Sequence, residues 1–180
     1  PPSTMAIHPL PIITACLLLL GRTAGAGSQN PGTDWLSEAG YGAFMHFLPA
    51  DEAQFSRVRD FDAGHLAGQL DEAGAGYLVI TLGQNAGYFI SPNATYDRIT
   101  GYQAGEKCSN RDLPRDLIRV LKPKGIRLLL YLPCQVPNRD ARAQRAFGLR
   151  EGPADQPLDQ AFAARWAGVI REWSERYGQD

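Results

Sequence analysis

Three short, nearly unbroken apolar runs constrain the fold more than any other feature of this chain. They are Tyr41-Gly42-Ala43-Phe44-Met45-His46-Phe47, Gly76-Tyr77-Leu78-Val79-Ile80-Thr81-Leu82 and Ile126-Arg127-Leu128-Leu129-Leu130-Tyr131-Leu132. A strand with one wet face alternates apolar and polar residues; near-continuous apolar runs bounded by Gly and Pro instead read as parallel strands buried on both faces. Helical patterns separate them. After Asp62, a good N-cap, Leu66 and Leu70 stand four apart beside Ala63 and Ala73, and Gly74 ends the segment. Leu113 to Leu121 forms a second helix, with Pro114 in its first turn and Lys122-Pro123-Lys124-Gly125 closing it. The longest helix is expected over 158–176, where Phe162, Trp166, Val169, Ile170 and Trp173 make one apolar stripe suited to core packing. The order β-α-β-α-β-α means a parallel α/β sheet, either doubly wound or a barrel. No GxGxxG or GxxxxGK[ST] follows a strand, which argues against a nucleotide-binding sheet.

Composition narrows the function classes. The 180 residues exceed a typical single domain of roughly 100–150 and fall short of the roughly 250 of a complete α/β barrel. Eighteen Lys and Arg against nineteen Asp and Glu leave a net charge of −1, which removes electrostatic attraction as an argument for nucleic acid or an anionic membrane. Three cysteines neither build a disulfide scaffold nor show zinc or CxxC spacing, so no metal or cofactor is expected.

The N-terminal segment reads differently from the rest. Ile12 to Leu20 is apolar except for Thr14, and Ala24-Gly25-Ala26 offers a small-x-small cleavage pattern before Gly27. The run is too short for a membrane span. Residues 1–26 are therefore expected to be a signal peptide and 27–34 a linker, with the domain over 35–180 and the protein secreted or periplasmic. Ile13-Thr14-Ala15-Cys16 is the less favoured alternative, a lipid-anchoring box, since apolar Leu17 to Leu20 follow the cysteine. After export, Cys108 and Cys134 would either pair or stay as two free thiols.

In parallel barrels the working residues lie at strand carboxyl ends. Here those ends read His46-Phe47-Leu48-Pro49, Gly83-Gln84-Asn85-Ala86-Gly87-Tyr88 and Pro133-Cys134-Gln135. Residues 41–47 resemble the first-strand GIFIHWG of family 29 α-L-fucosidases. Phe61-Asp62 through Thr81, Gly87-Tyr88-Phe89 with Ser91-Pro92, Arg111-Asp112-Leu113, and Gly125 through Leu132 are similar to further motifs of that family, in its order and spacing. The resemblance runs over residues 35–177. It implies a (β/α)8 barrel, of which this chain would hold the first three βα units, and a retaining glycosidase acting on terminal fucose-like residues. The chain departs from the family at Gln84-Asn85, where two adjacent histidines are expected, at Phe47 in place of Trp, at Leu132 in place of a second Tyr, and in having no Glu-Trp-Tyr after the first strand.

A pyranose has hydroxyl groups around its rim and C–H faces above and below. It calls for side chains that both donate and accept hydrogen bonds, beside an aromatic platform. His46, Gln84, Asn85 and Tyr88 could supply that set, with a carbohydrate as the binding partner. Each also has a plainer reading: His46 as a strand-end hydrogen bonder, Gln84 and Asn85 as turn residues, Tyr88 as loop packing. His65 reads as a surface or packing residue of its helix, and Asn93-Ala94-Thr95 is a glycosylation sequon. Retaining hydrolysis needs two carboxyl groups about 5–5.5 Å apart. In the resembled family the nucleophile ends the fourth strand, so both carboxylates are expected beyond residue 180. The other reading is a non-catalytic sugar-binding relative, or a barrel glycosidase of different sugar specificity.

Overall fold

The computed structural model describes residues 32–83, 85–132, 137–149 and 159–178. The expected leader, Gln84 and Cys134 lie outside them. Ten principal elements occur among the described residues: α1 (Asp34–Glu38), β1 (Gly42–Met45), α2 (Glu52–Ser56), α3 (Ala63–Ala73), β2 (Tyr77–Thr81), α4 (Ala94–Thr100), α5 (Leu113–Leu121), β3 (Arg127–Tyr131), α6 (Ala141–Phe147) and α7 (Gln160–Tyr177).

Local chemistry sets most of these boundaries. The Asp62 carboxylate accepts the His65 amide and starts α3, and Gly74 ends it in the left-handed conformation. Asp112 caps α5 through the Arg115 amide, and Pro114 occupies its first turn. Four helices are not expected from the sequence, α1, α2, α4 and α6; all are short, and the last three are each capped by an Asp or Asn: Asp51, Asn93 and Asp140.

The three strands pair in parallel in the order β1-β2-β3, with Gly42 opposite Tyr77 and Tyr77 opposite Arg127. Leu78, Ile80 and Leu82 are fully buried, in one core with Ala67 and Leu70 of α3 and Leu117 and Leu121 of α5. The opposite face differs from the expectation of strands buried on both sides. Phe44 is 53% and Tyr131 42% exposed, and Val79 and Leu129 are only half-buried. Among the described residues the long helices pack on the other side of this sheet; on this side Trp35 of α1 meets Tyr77 and Arg127 near the amino ends, and Phe44 and Tyr131 remain on an open face toward the carboxyl ends. Gly42 lies under the Tyr77 ring, which leaves no room there for a Cβ.

The last helix is fastened to the connection after β2. Phe162, Trp166, Val169 and Trp173 of its stripe are buried; Ile170 lies at the margin, 37% exposed. The Trp173 indole donates to the Pro92 carbonyl at 3.2 Å, and the Asn93 amide group to the Val169 carbonyl at 3.0 Å. Glu172 receives the amides of Ala94 at 2.8 Å and Thr95 at 2.7 Å, the first orphan donors of α4. Burial alone would raise the Glu172 carboxyl, but these amides and Arg176 outweigh it and hold the group below its usual range. A depressed carboxyl stabilises the fold above its unfolded pKa, and that contribution is lost as pH falls. Glu172→Gln should therefore cost about 1–2 kcal/mol at pH 7. The gap from the parent protein should begin to close near the ordinary glutamate pKa and disappear only as pH falls through the depressed folded value, as measured by urea unfolding at a series of pH values.

Candidate functional site

The carboxyl end of β1 is fixed by one hydroxyl of β2. Thr81 Oγ1 accepts the Phe47 amide at 2.9 Å and donates to the Phe47 carbonyl at 2.8 Å, and Thr81 is 1% exposed. This hook holds the backbone next to His46, whose side chain is exposed. The imidazole meets the Phe44 ring edge-on at 4.4 Å and stacks with Tyr131 at 6.5 Å, and Phe44 lies 5.5 Å from Tyr131. Strand alternation explains the grouping. Positions 44 and 46 share a face, and the parallel register carries that face through Val79 to Leu129 and Tyr131. Phe44 and Tyr131 were not among the sequence candidates; the register needed to place them beside His46 is set by the pairing of separate segments.

The end of β2 is built differently. Asn85 is half-buried and its carbonyl accepts the Arg139 amide at 2.8 Å. The half-buried Tyr88 ring is taken up by two neighbours: Phe55 at 5.0 Å and the Lys107 ammonium 3.7 Å from its centroid. These contacts agree with its plainer reading as loop packing. No hydrogen bond or ring contact among the described residues joins His46 to Asn85 or Tyr88, so the candidates fall into two groups. Gln84 lies outside the described residues.

Next to the second group, across Lys107, lies a partly buried polar cluster. The Tyr102 hydroxyl donates to both Asp140 oxygens at 2.9 and 3.0 Å, and burial together with this bond pushes its pKa up to about 12. Burial also raises the Asp97 carboxyl to about 6 and pushes the neighbouring Cys108 thiol up, with Asp97 adding to the effect. A buried, unpaired thiol held protonated is a poor nucleophile and a poor metal ligand. Asn93 of the sequon is fully buried, with its oxygen on the Tyr96 amide at 2.7 Å and its nitrogen on Val169; the folded chain offers no access to it. His65 lies exposed on α3, the surface alternative of its two readings. Among the described residues no group of three or more His, Cys, Asp or Glu is placed to hold a metal ion.

Comparison with solved structures gives this arrangement a context. A family 29 α-L-fucosidase from Bacteroides thetaiotaomicron, trapped as a covalent intermediate, matches 83% of this chain and 39% of its own, with TM-score 0.57 and 18% identity. A Thermotoga maritima α-fucosidase in complex with a mechanism-based inhibitor matches 80% and 44%, with TM-score 0.56 and 15% identity. Isoenzyme 1 of the Paenibacillus thiaminolyticus α-L-fucosidase matches 81% and 40%, with TM-score 0.52 and 19% identity. The chain has an α-L-fucosidase-like fold and spans about two fifths of the length of these proteins. No protein-family model matches the sequence, and no curated protein matches it at a significant level.

The Thr81 hook is testable alone. Thr81→Val keeps the shape but strands the Phe47 amide and carbonyl, so stability should fall by about 1–3 kcal/mol. The midpoint of urea unfolding measures this; an unchanged midpoint would show that the strand end is held by other contacts.

Proposed function

We propose that this chain forms the sugar-binding first part of a retaining glycosidase that removes terminal fucose-like residues from glycans. In this reading its three βα units open a (β/α)8 barrel and the open face of the sheet is the barrel interior. The observation that carries the reading is the exposed group of His46, Phe44 and Tyr131 at strand carboxyl ends, within an α-L-fucosidase-like fold. An imidazole and a phenol can exchange hydrogen bonds with sugar hydroxyls, while an adjacent ring accepts a C–H face. Asn85 and Gln84 would hydrogen-bond the same sugar from β2. Tyr88 would support the turn that carries them.

The two carboxylates of a retaining mechanism would come from later strands of the full-length protein, with the leader directing it out of the cytoplasm. A sugar-binding protein without hydrolysis is the second reading. Asn85 favours it, since an amide stands where the resembled family carries a titratable imidazole.

His46→Phe in the full-length protein decides the role of the imidazole. Loss of a hydrogen bond that strengthens in the transition state should lower turnover of an aryl α-L-fucoside by about tenfold or more, with folding intact. Unchanged kinetics would make His46 a structural residue. A parent protein that binds fucose but does not turn over the fucoside would favour the second reading.

A further inference from the structure

The turn after β2 is held by the connection after β3, and one lysine links the two. Asn85 accepts the Arg139 amide through its carbonyl. Two residues on, Gly87 adopts φ +77° so close to Asp140 that a Cβ there would lie 2.8 Å from the carboxylate. The Lys107 ammonium donates to the Ala86 carbonyl at 3.3 Å, lies 3.9 Å from Asp140 Oδ2 and sits over the Tyr88 ring. Asp140 itself is fixed, accepting the Tyr102 hydroxyl and capping α6 through the Ala143 amide at 3.0 Å. The lysine side chain is 16% and the Asp140 side chain 4% exposed, so water and salt screen the pair little.

We propose that Lys107 is a positioning residue that clamps residues 85–88 against Asp140 at the head of α6, and so sets the orientation in which Asn85 meets a sugar. The second half of this proposal rests on the sugar-binding reading of Asn85; the clamp does not. Ala86 and Tyr88 gain a cationic partner from Lys107 without joining a regular strand ladder. Removing the ammonium leaves the Ala86 carbonyl without that donor and the Asp140 carboxylate without that cation. The glycine at 87 lets the freed backbone rotate. A guanidinium can make the same kinds of contact, whereas a methionine fills the stem volume and makes none of the polar ones.

The test compares Lys107→Met and Lys107→Arg in the full-length protein, each with Asn85 present and with Asn85→Ala. Amide hydrogen exchange over residues 85–90 should quicken about tenfold or more in Lys107→Met while α3 and α5 stay unchanged, and Lys107→Arg should stay near the parent. With an aryl α-L-fucoside, Lys107→Met should lower kcat/KM about tenfold when Asn85 is present and less than about twofold in the Asn85→Ala background. General destabilisation would lower both equally. Unchanged exchange over 85–90 overturns the clamp. Equal losses in the two backgrounds overturn the positioning of Asn85. Asn85→Ala with parental kinetics contradicts the sugar-binding reading of Asn85 and with it the positioning role. A parent that turns over no fucoside contradicts the glycosidase reading, and exchange still decides the clamp.

Discussion

Parallel pairing of β2 with both of its neighbours is the constraint on which the rest of this structure depends. Two parallel strands cannot be joined by a tight turn; the chain must leave one carboxyl end, cross the sheet and return to the amino end of the next. Here α3 and α5 make those crossings, and their apolar sides bury Leu78, Ile80 and Leu82. All three carboxyl ends consequently open on the same rim of the sheet. The connections that follow them, with α2, α4 and α6, meet there. His46, Tyr131 and Asn85 come to that rim through topology, from segments far apart in sequence.

Burial is unevenly distributed around this sheet, and the imbalance carries the functional reading. One face is closed by helices and tightly packed. The other leaves Phe44 and Tyr131 about half exposed, although both rings would contribute favourably if buried. Polar bonding does much of the remaining work away from the sheet. The connection after β2 is fastened to α7 by Glu172, Asn93, Trp173 and Tyr177, whose hydroxyl bonds Asp112 at 2.7 Å and Ser91 at 2.5 Å. That fastening holds a long connection whose only regular element among the described residues is α4.

The sequence was most legible where structure is local. The apolar runs place the strands within a residue or two, and the capping residues Asp62 and Asp112 place α3 and α5 because a cap needs only its own helix. The long helix is legible from its stripe, apart from Ile170. By contrast α4 is seven residues with little periodicity, and its start is completed by Glu172 from a distant helix, which no local pattern announces. The open face is illegible for a similar reason: Phe44 and Tyr131 look like core residues until the covering layer is known. In the candidate site, His46 and Asn85 could be named as polar groups after apolar runs. The partners that orient them, Thr81, Tyr131, Lys107 and Asp140, are brought in by tertiary contacts.

The central claim is that a sugar binds on the open face at the carboxyl ends of these strands. A crystal structure of the full-length protein with a fucose-configured iminocyclitol tests it most directly. The ring should sit beside Phe44 and Tyr131, with its hydroxyls within hydrogen-bond distance of His46 and the Asn85 side chain. An iminocyclitol bound elsewhere, with His46 and Tyr131 covered by protein side chains, would contradict it.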